Sequence, residues 1–288
     1  MREAAYYQTL NNHQVKCQLC PHQCIINPNK RGKCHVRKNI DGKLYSEVYG
    51  QLSARNFDPI EKKPLYHYYP SKIIYSIGSI GCNLACHFCQ NCDISQNNIE
   101  TFPYLKQEDV HSILEQATSN PKNIGIAYTY NEPTVWYEFM LDIARQSRQH
   151  NLKNIMISNG YIEQAPLDKL LSYMDAFNID LKGFTETFYQ QLTGASLQPV
   201  LETIKKIHQH GAHLELTNLI IPTKNDDPET FELMVQWIQQ NTSKDTVLHL
   251  SRYFPRYKLK IDSTSPEKLT TLKGIAEKYL NHVYLGNI

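Results

Sequence analysis

Eight cysteines fall at positions 17, 20, 24, 34, 82, 86, 89 and 92, and the 196 residues after Cys92 contain none. A disulfide framework belongs to oxidising compartments and to cores too small to stand alone, whereas 288 residues can bury a substantial core. Cysteines gathered in this way read instead as soft ligands for metal or cluster, in two sets: Cys17/Cys20/Cys24/Cys34 and Cys82/Cys86/Cys89. The amino-terminal stretch MREAAYYQTLNNHQ has no apolar signal core, and no run approaches the ~20 apolar residues of a membrane span. The expectation is therefore a soluble, cytoplasmic protein with no membrane partner. A net charge of +2 gives no ground for a nucleic-acid partner.

The chain divides by pattern near residue 70. Residues 1–70 read as a small Cys-rich module, in which Asp41-Gly42 between two strand-like runs signals a hairpin. The segment DPIEKKPLYHYYP, broken by Pro59, Pro64 and Pro70, reads as an extended connector. Residues 71–288 alternate short β-rich runs with amphipathic helices. Strands are predicted over 72–79, 123–130, 154–158, 176–181, 213–221 and 246–251. Between them Phe231, Met234, Val235 and Ile238 mark a helix that starts at Asp227-Pro228. Leu269, Leu272, Ala276 and Leu280 mark another that starts at Ser265-Pro266. Such alternation implies right-handed βαβ units and a parallel sheet, giving an α/β fold. Six units are too few for a closed eight-stranded barrel, so an open partial (β/α)6 barrel competes with a flat doubly wound sheet. Side-chain parity favours the barrel: Asn178, Asp180 and Lys182 share one strand face and Ile179 and Leu181 the other, as beside a polar cavity.

The run GCNLACHFCQN places Cys82, Cys86 and Cys89 directly after the first predicted barrel strand, at the end where active sites of parallel barrels gather. A four-iron cubane held by only three thiolates leaves one iron open to a ligand. Two other readings compete, a zinc site and a redox cluster, each completed by Cys92.

This spacing, with Phe88 before the third cysteine, resembles the radical S-adenosylmethionine superfamily. The resemblance implies a [4Fe-4S] cluster on Cys82, Cys86 and Cys89 that cleaves S-adenosylmethionine reductively to methionine and a 5′-deoxyadenosyl radical. It also implies an external one-electron donor of the flavodoxin or ferredoxin type. Asn131-Glu132-Pro133 resembles the element that receives the methionine amino group, although Glu132 before Pro133 also reads as a plain helix cap. Ser158-Asn159-Gly160 resembles a ribose-contacting turn. Asp180-Leu181-Lys182 resembles an element whose lysine lies near the ribose and carboxylate of S-adenosylmethionine. His249 matches in position a histidine lining the same cavity. CQLCPHQC, RGKCHVR, DPIEKKPLYHYYP, CQNCDISQ, YTYNEPTVWYE and HLSRYFP extend the likeness to the AmmeMemoRadiSam system radical enzymes, a group related to the pyruvate formate-lyase activating enzymes. Cys92 departs from that pattern, where an aromatic residue is expected, and the run HVYLGNI stands where longer relatives continue with another C-x2-C.

The substrate, small molecule or protein, is not supplied by the resemblance, and glycyl-radical activation of a protein partner and a non-catalytic metal-binding adaptor stand as alternatives. Cys17, Cys20, Cys24 and Cys34 offer four ligands in 18 residues, for structural zinc, which the small module favours, or for a second four-iron cluster. The basic run Lys30, Arg31, Lys33, Arg37 and Lys38 beside them reads as a solvated face.

Overall fold

The computed structural model describes the whole chain, residues 1–288. Its central sheet has eight strands: β1 (Ala54–Pro59), β2 (Ile73–Gly78), β3 (Asn123–Tyr128), β4 (Lys153–Ser158), β5 (Ala176–Asp180), β6 (His213–Ile220), β7 (Val247–Arg252) and β8 (Val283–Gly286). Each strand is hydrogen-bonded to its neighbours in sequence, β2 to β8 running parallel and β1 pairing antiparallel with β2 at one edge. The order is linear from β1 to β8, which leaves the barrel partly open. Six helices fill the crossovers: α1 (Val110–Ser119), α2 (Tyr137–Ser147), α3 (Gln164–Leu171), α4 (Gln198–His210), α5 (Pro228–Asn241) and α6 (Pro266–Ala276).

The helix signals act through identifiable atoms. Asp227 accepts from the Thr230 amide at 2.9 Å ahead of Pro228, and Phe231, Met234, Val235 and Ile238 of α5 are buried. Ser265 caps α6 in the same way, and Leu269, Leu272, Ala276 and Leu280 are buried. The six predicted strands are present within two residues of their expected ends, and a further parallel strand, β8, lies within the HVYLGNI run. It is only four residues long, too short to show a period by itself.

The DPIEKKPLYHYYP segment does two things. Its start belongs to β1, where Pro59 is tolerated because the strand is an edge. Its remainder closes the lower end of the barrel. The Pro64 carbonyl accepts from Asn178 Nδ2 at 2.7 Å, and the Tyr66 and His67 amides donate to Glu215 at 2.9 and 2.8 Å. Asn178, Glu215 and His249 form a polar layer across β5, β6 and β7, each member hydrogen-bonded, as burial requires.

Residues 1–52 carry small antiparallel sheets packed on the barrel. At the Asp41-Gly42 turn both residues have positive φ, 49° and 83°, as a tight two-residue hairpin demands, and they join strands Arg37–Ile40 and Lys43–Ser46. One hydrophobic core joins Val15, Val36 and Leu44 to Phe139 and Tyr137 of α2. The basic run is not a uniformly solvated face. Arg37 is 2% exposed and forms a two-pronged pair with Glu138 at 2.9 Å, and Arg31 pairs with Glu47 and Glu100 at 2.5 and 2.7 Å. A buried guanidinium persists only with such a partner. No helix is long and apolar enough to cross a membrane.

Candidate active site

At the carboxyl ends of the parallel strands lies a cavity of about 380 Å³, within the range that holds small-molecule cofactors. Cys82, Cys86, Phe88 and Cys89 reach it from the loop after β2, and Thr129 to Glu132 from the end of β3. Ser158 and Asn159 enter from β4, Asp180 and Lys182 from β5, Thr217 and Leu219 from β6, and Ser251 from β7. The parallel sheet brings these scattered residues together because every strand ends on the same side.

The cysteine loop is pinned from the β3 end. Asn131 Oδ1 accepts from the Ser79 amide at 2.9 Å, and its Nδ2 donates to the Gly81 carbonyl at 2.9 Å. The chain then turns through Gly81 at φ 83°, a conformation that favours glycine, and delivers Cys82 to the cavity. Cys82 Sγ accepts from the Leu84 amide at 3.3 Å, with Asn159 Nδ2 3.7 Å away. All eight cysteines are free thiols. Burial pushes the Cys86 thiol up to about 12, against the opposing charge of Lys182, and it pushes Cys82 well above the usual thiol range, with Glu132 adding to the rise. Any cluster on these sulfurs must displace their protons, and the neighbouring N–H donors and the lysine are the groups that offset the resulting charge.

Glu132 has a dual position. Its carboxylate caps the turn after it by accepting from Thr134 N at 3.0 Å and Thr134 Oγ1 at 2.7 Å. It also accepts from Ser158 Oγ and from the Asn159 amide, both at 2.8 Å. The helix-cap reading and the cavity position thus hold together in one side chain. Burial raises its pKa, and the four donors oppose the rise. On the facing wall Lys182 Nζ donates to Asp180 Oδ2 at 2.9 Å. Burial works against the lysine's charge, but Asp180 and the Cys86 sulfur outweigh it and raise the lysine's pKa.

Cys82, Cys86, Phe88, Cys89, Asn131, Glu132, Ser158, Asn159, Asp180 and Lys182 therefore share one cavity. His249 is not on its wall. It lies in the polar layer below, 4% exposed, donating to Glu215 at 2.6 Å with Tyr66 packed edge-on at 4.7 Å. Cys17, Cys20, Cys24 and Cys34 line a separate small cavity. Sequence reasoning did not find Lys63, Tyr130 or Thr217. Tyr130 lines the mouth at φ 70° and donates to Asp58, which also accepts from Lys63 at 2.7 Å. A positive φ at a tyrosine leaves no trace in a sequence. Ser251 shares the strand parity of His249, which gives both the inner face, and its position nearer the carboxyl end of β7 brings it to the cavity.

The Radical SAM superfamily profile matches residues 76–238. An uncharacterized protein of Methanocaldococcus jannaschii is 42% identical over 290 residues, covering 100% of this chain and 86% of its own length. A pyruvate formate-lyase-activating enzyme of Listeria monocytogenes is 24% identical over 169 residues, 55% of this chain and 66% of the relative. Among solved structures, a radical SAM methyltransferase from Sphaerobacter thermophilus superposes with a TM-score of 0.60 at 13% identity, covering 76% of this chain and 67% of that one. That likeness bears on the fold alone.

Proposed function

The chain belongs to the radical SAM superfamily and is related to the pyruvate formate-lyase-activating enzymes, and from that membership we propose that Cys82, Cys86 and Cys89 hold the family's [4Fe-4S] cluster in this cavity. Membership makes it an enzyme that uses S-adenosylmethionine and such a cluster. When bound, the pair supplies one-electron cleavage of the sulfonium to methionine and a 5′-deoxyadenosyl radical, which takes hydrogen from a substrate.

The observation that carries the proposal is the shared cavity: three free thiols, a buried carboxylate and a half-buried ammonium converge where the parallel strands end. Three thiolates leave one iron able to accept the amino and carboxylate groups of the cosubstrate. Glu132 and the Ser158-Asn159 turn form the wall that meets its amino and ribose groups, and Lys182 meets its carboxylate through a charge-assisted contact. Phe88, 3% exposed with its ring 5.9 Å from that of Phe188, packs beneath the loop that carries the three cysteines. Thr217, Leu219 and Ser251 line the part of the cavity toward β6 and β7 and contribute no charge there. An external low-potential protein supplies the electron.

The test is anaerobic reconstitution, reduction with dithionite and measurement of 5′-deoxyadenosine. Production by the native chain and none by the Cys82→Ala/Cys86→Ala/Cys89→Ala chain is expected. A full cluster with no deoxyadenosine overturns the enzyme reading in favour of a metal-binding adaptor. Relatedness to activating enzymes favours one second reading, a protein substrate carrying a glycyl radical. A stable glycine-centred paramagnetic signal in a partner supports it, and deuterium passing from a small metabolite into deoxyadenosine supports a small-molecule substrate.

A further inference from the structure

We propose that residues 252–260, at the end of β7 and just after it, form the docking surface for an acidic electron-carrier protein. The proposal rests on the cluster assigned to Cys82, Cys86 and Cys89, and it adds the face through which the electron enters.

The run RYFPRYKLK carries four cations, Arg252, Arg256, Lys258 and Lys260, and no acid. It lies directly against the cysteine loop. The Lys258 and Leu259 amides both donate to the His87 carbonyl at 3.0 Å, and Gln90 Nε2 donates to the Phe254 carbonyl at 3.2 Å. His87 stands between Cys86 and Cys89, and Gln90 follows Cys89, so the segment is fastened beside two of the three sulfurs. The loop's other flank is the 189–194 turn, where the Leu192 carbonyl accepts from the His87 amide at 2.9 Å and the Thr193 carbonyl from the Ala85 amide at 2.8 Å.

Charge is distributed unevenly around this loop. Neither the turn, YQQLTG, nor the loop from Ala85 to Asn91 contains an aspartate, glutamate, lysine or arginine. The next acid along the chain is Asp93, and Arg256 holds it in an exposed pair at 2.5 Å. Arg256 is the only one of the four cations that is ion-paired, and Lys258 and Lys260 are exposed beside it. The rim of the loop is therefore neutral on one side and basic on the other. Phe254 is 42% exposed within the basic side, with the Arg252 guanidinium 4.9 Å from its ring centroid. An exposed aromatic side chain among arginines and lysines offers the apolar centre and charged rim of a protein interface.

An electron carrier must bring its redox centre close to the cluster, and Ala85, Gln90 and Asn91 leave the loop exposed for that approach. A basic rim steers an acidic carrier there and disfavours a basic one. The step at this surface is electron transfer alone: the reduced carrier loses one electron, the cluster gains it, and no bond changes.

The test follows loss of the cluster's visible absorbance after the reconstituted full chain is mixed with a reduced, strongly acidic flavodoxin. Lys258→Glu/Lys260→Glu should slow the second-order rate about tenfold at low salt, the lower end of electrostatic steering. The gap should close toward 1 M salt, where the Debye length falls to ~3 Å. Lys72→Glu/Lys122→Glu makes the same charge change at exposed positions just before β2 and β3, at the opposite end of the barrel, and should keep the native rate. Dithionite should reduce all three chains to the same extent. Equal flavodoxin rates in native and Lys258→Glu/Lys260→Glu chains, equal slowing in both variants, or no reduction of the native cluster by flavodoxin where dithionite succeeds overturns the proposal. Deoxyadenosine is measured separately: salt-sensitive slowing without deoxyadenosine sinks the proposed function and leaves the docking surface standing. Deoxyadenosine with equal rates does the reverse.

Discussion

His249 Nε2 lies 2.6 Å from Glu215 Oε2, deep in the barrel and beneath the cavity, and His213 Nε2 lies 2.9 Å from the other oxygen of the same carboxylate. A carboxylate only accepts, so both imidazoles carry their proton on Nε2. The Tyr66 and His67 amides complete the set at 2.9 and 2.8 Å. Glu215 is thus the point at which the 64–67 segment is fastened inside β6 and β7.

This fastening makes stability depend on acid. Burial opposes the charge of Glu215, but the donations from His213, His249 and the two amides outweigh it and hold the carboxyl at about 2. The folded pKa lies below the unfolded value of ~4.3, so the stabilisation is fully present above that value and is lost as pH falls toward 2. The shift corresponds to about 3 kcal/mol. Urea unfolding of the cluster-free chain should show native and Glu215→Gln proteins converging in stability between pH 5 and pH 2.5. Parallel stability curves over that range are incompatible with this role.

Glu132 should be costly to replace for two separable reasons. Glu132→Gln sets an amide against donors from Thr134, Ser158 and Asn159. A loss of about 1–3 kcal/mol in stability follows from the unsatisfied buried groups. If the carboxylate also meets the cosubstrate's amino group, equilibrium binding of S-adenosylmethionine weakens beyond what partial unfolding explains, by roughly tenfold or about 1.4 kcal/mol. Unchanged affinity in the folded fraction would leave Glu132 as a cap alone.

On the opposite wall, Lys182→Ala removes the only ammonium paired with Asp180 there. Iron content should stay at the native level while affinity for S-adenosylmethionine falls roughly tenfold, the scale of one charge-assisted contact. Calorimetric titration against the reconstituted protein measures it. Equal affinities would assign the lysine to its ion pair with Asp180 only.

The contrast between Lys182 and Glu215 shows what a sequence carries. Asp180, Lys182 and the cysteine trio were legible because spacing along one strand or loop fixes their direction: alternate residues share a face, and three cysteines in eight positions share a loop. The capped starts of α5 and α6 and the Asp41-Gly42 hairpin were legible for the same local reason. The pairing of Arg37 with Glu138 spans 101 positions, and that of His67 with Glu215 spans 148. Neither is encoded in any local period, so Arg37 resembled a solvated charge and His249 a cavity residue. Strand β8 was missed because its parallel pairing with β7, and not its own four residues, makes it a strand.

Gly81 offers a test of the contact between the two cysteine sets. A Cβ there would lie 2.6 Å from the Cys34 carbonyl oxygen and 2.7 Å from Val36 Cγ1, at φ 83°. Gly211, the residue just past α4, has a comparable φ of 81° with nothing within 4 Å of a built Cβ. Both alanine substitutions incur the left-handed cost of about 1 kcal/mol, but only Gly81→Ala must push the Cys34 backbone away from the Cys82 loop. Gly81→Ala should therefore lose iron to a chelator several times faster than the native chain, whereas Gly211→Ala should keep the native rate despite a lowered melting temperature. Equal chelation rates in the two variants would mean that the Cys34 backbone and the Cys82 loop move independently.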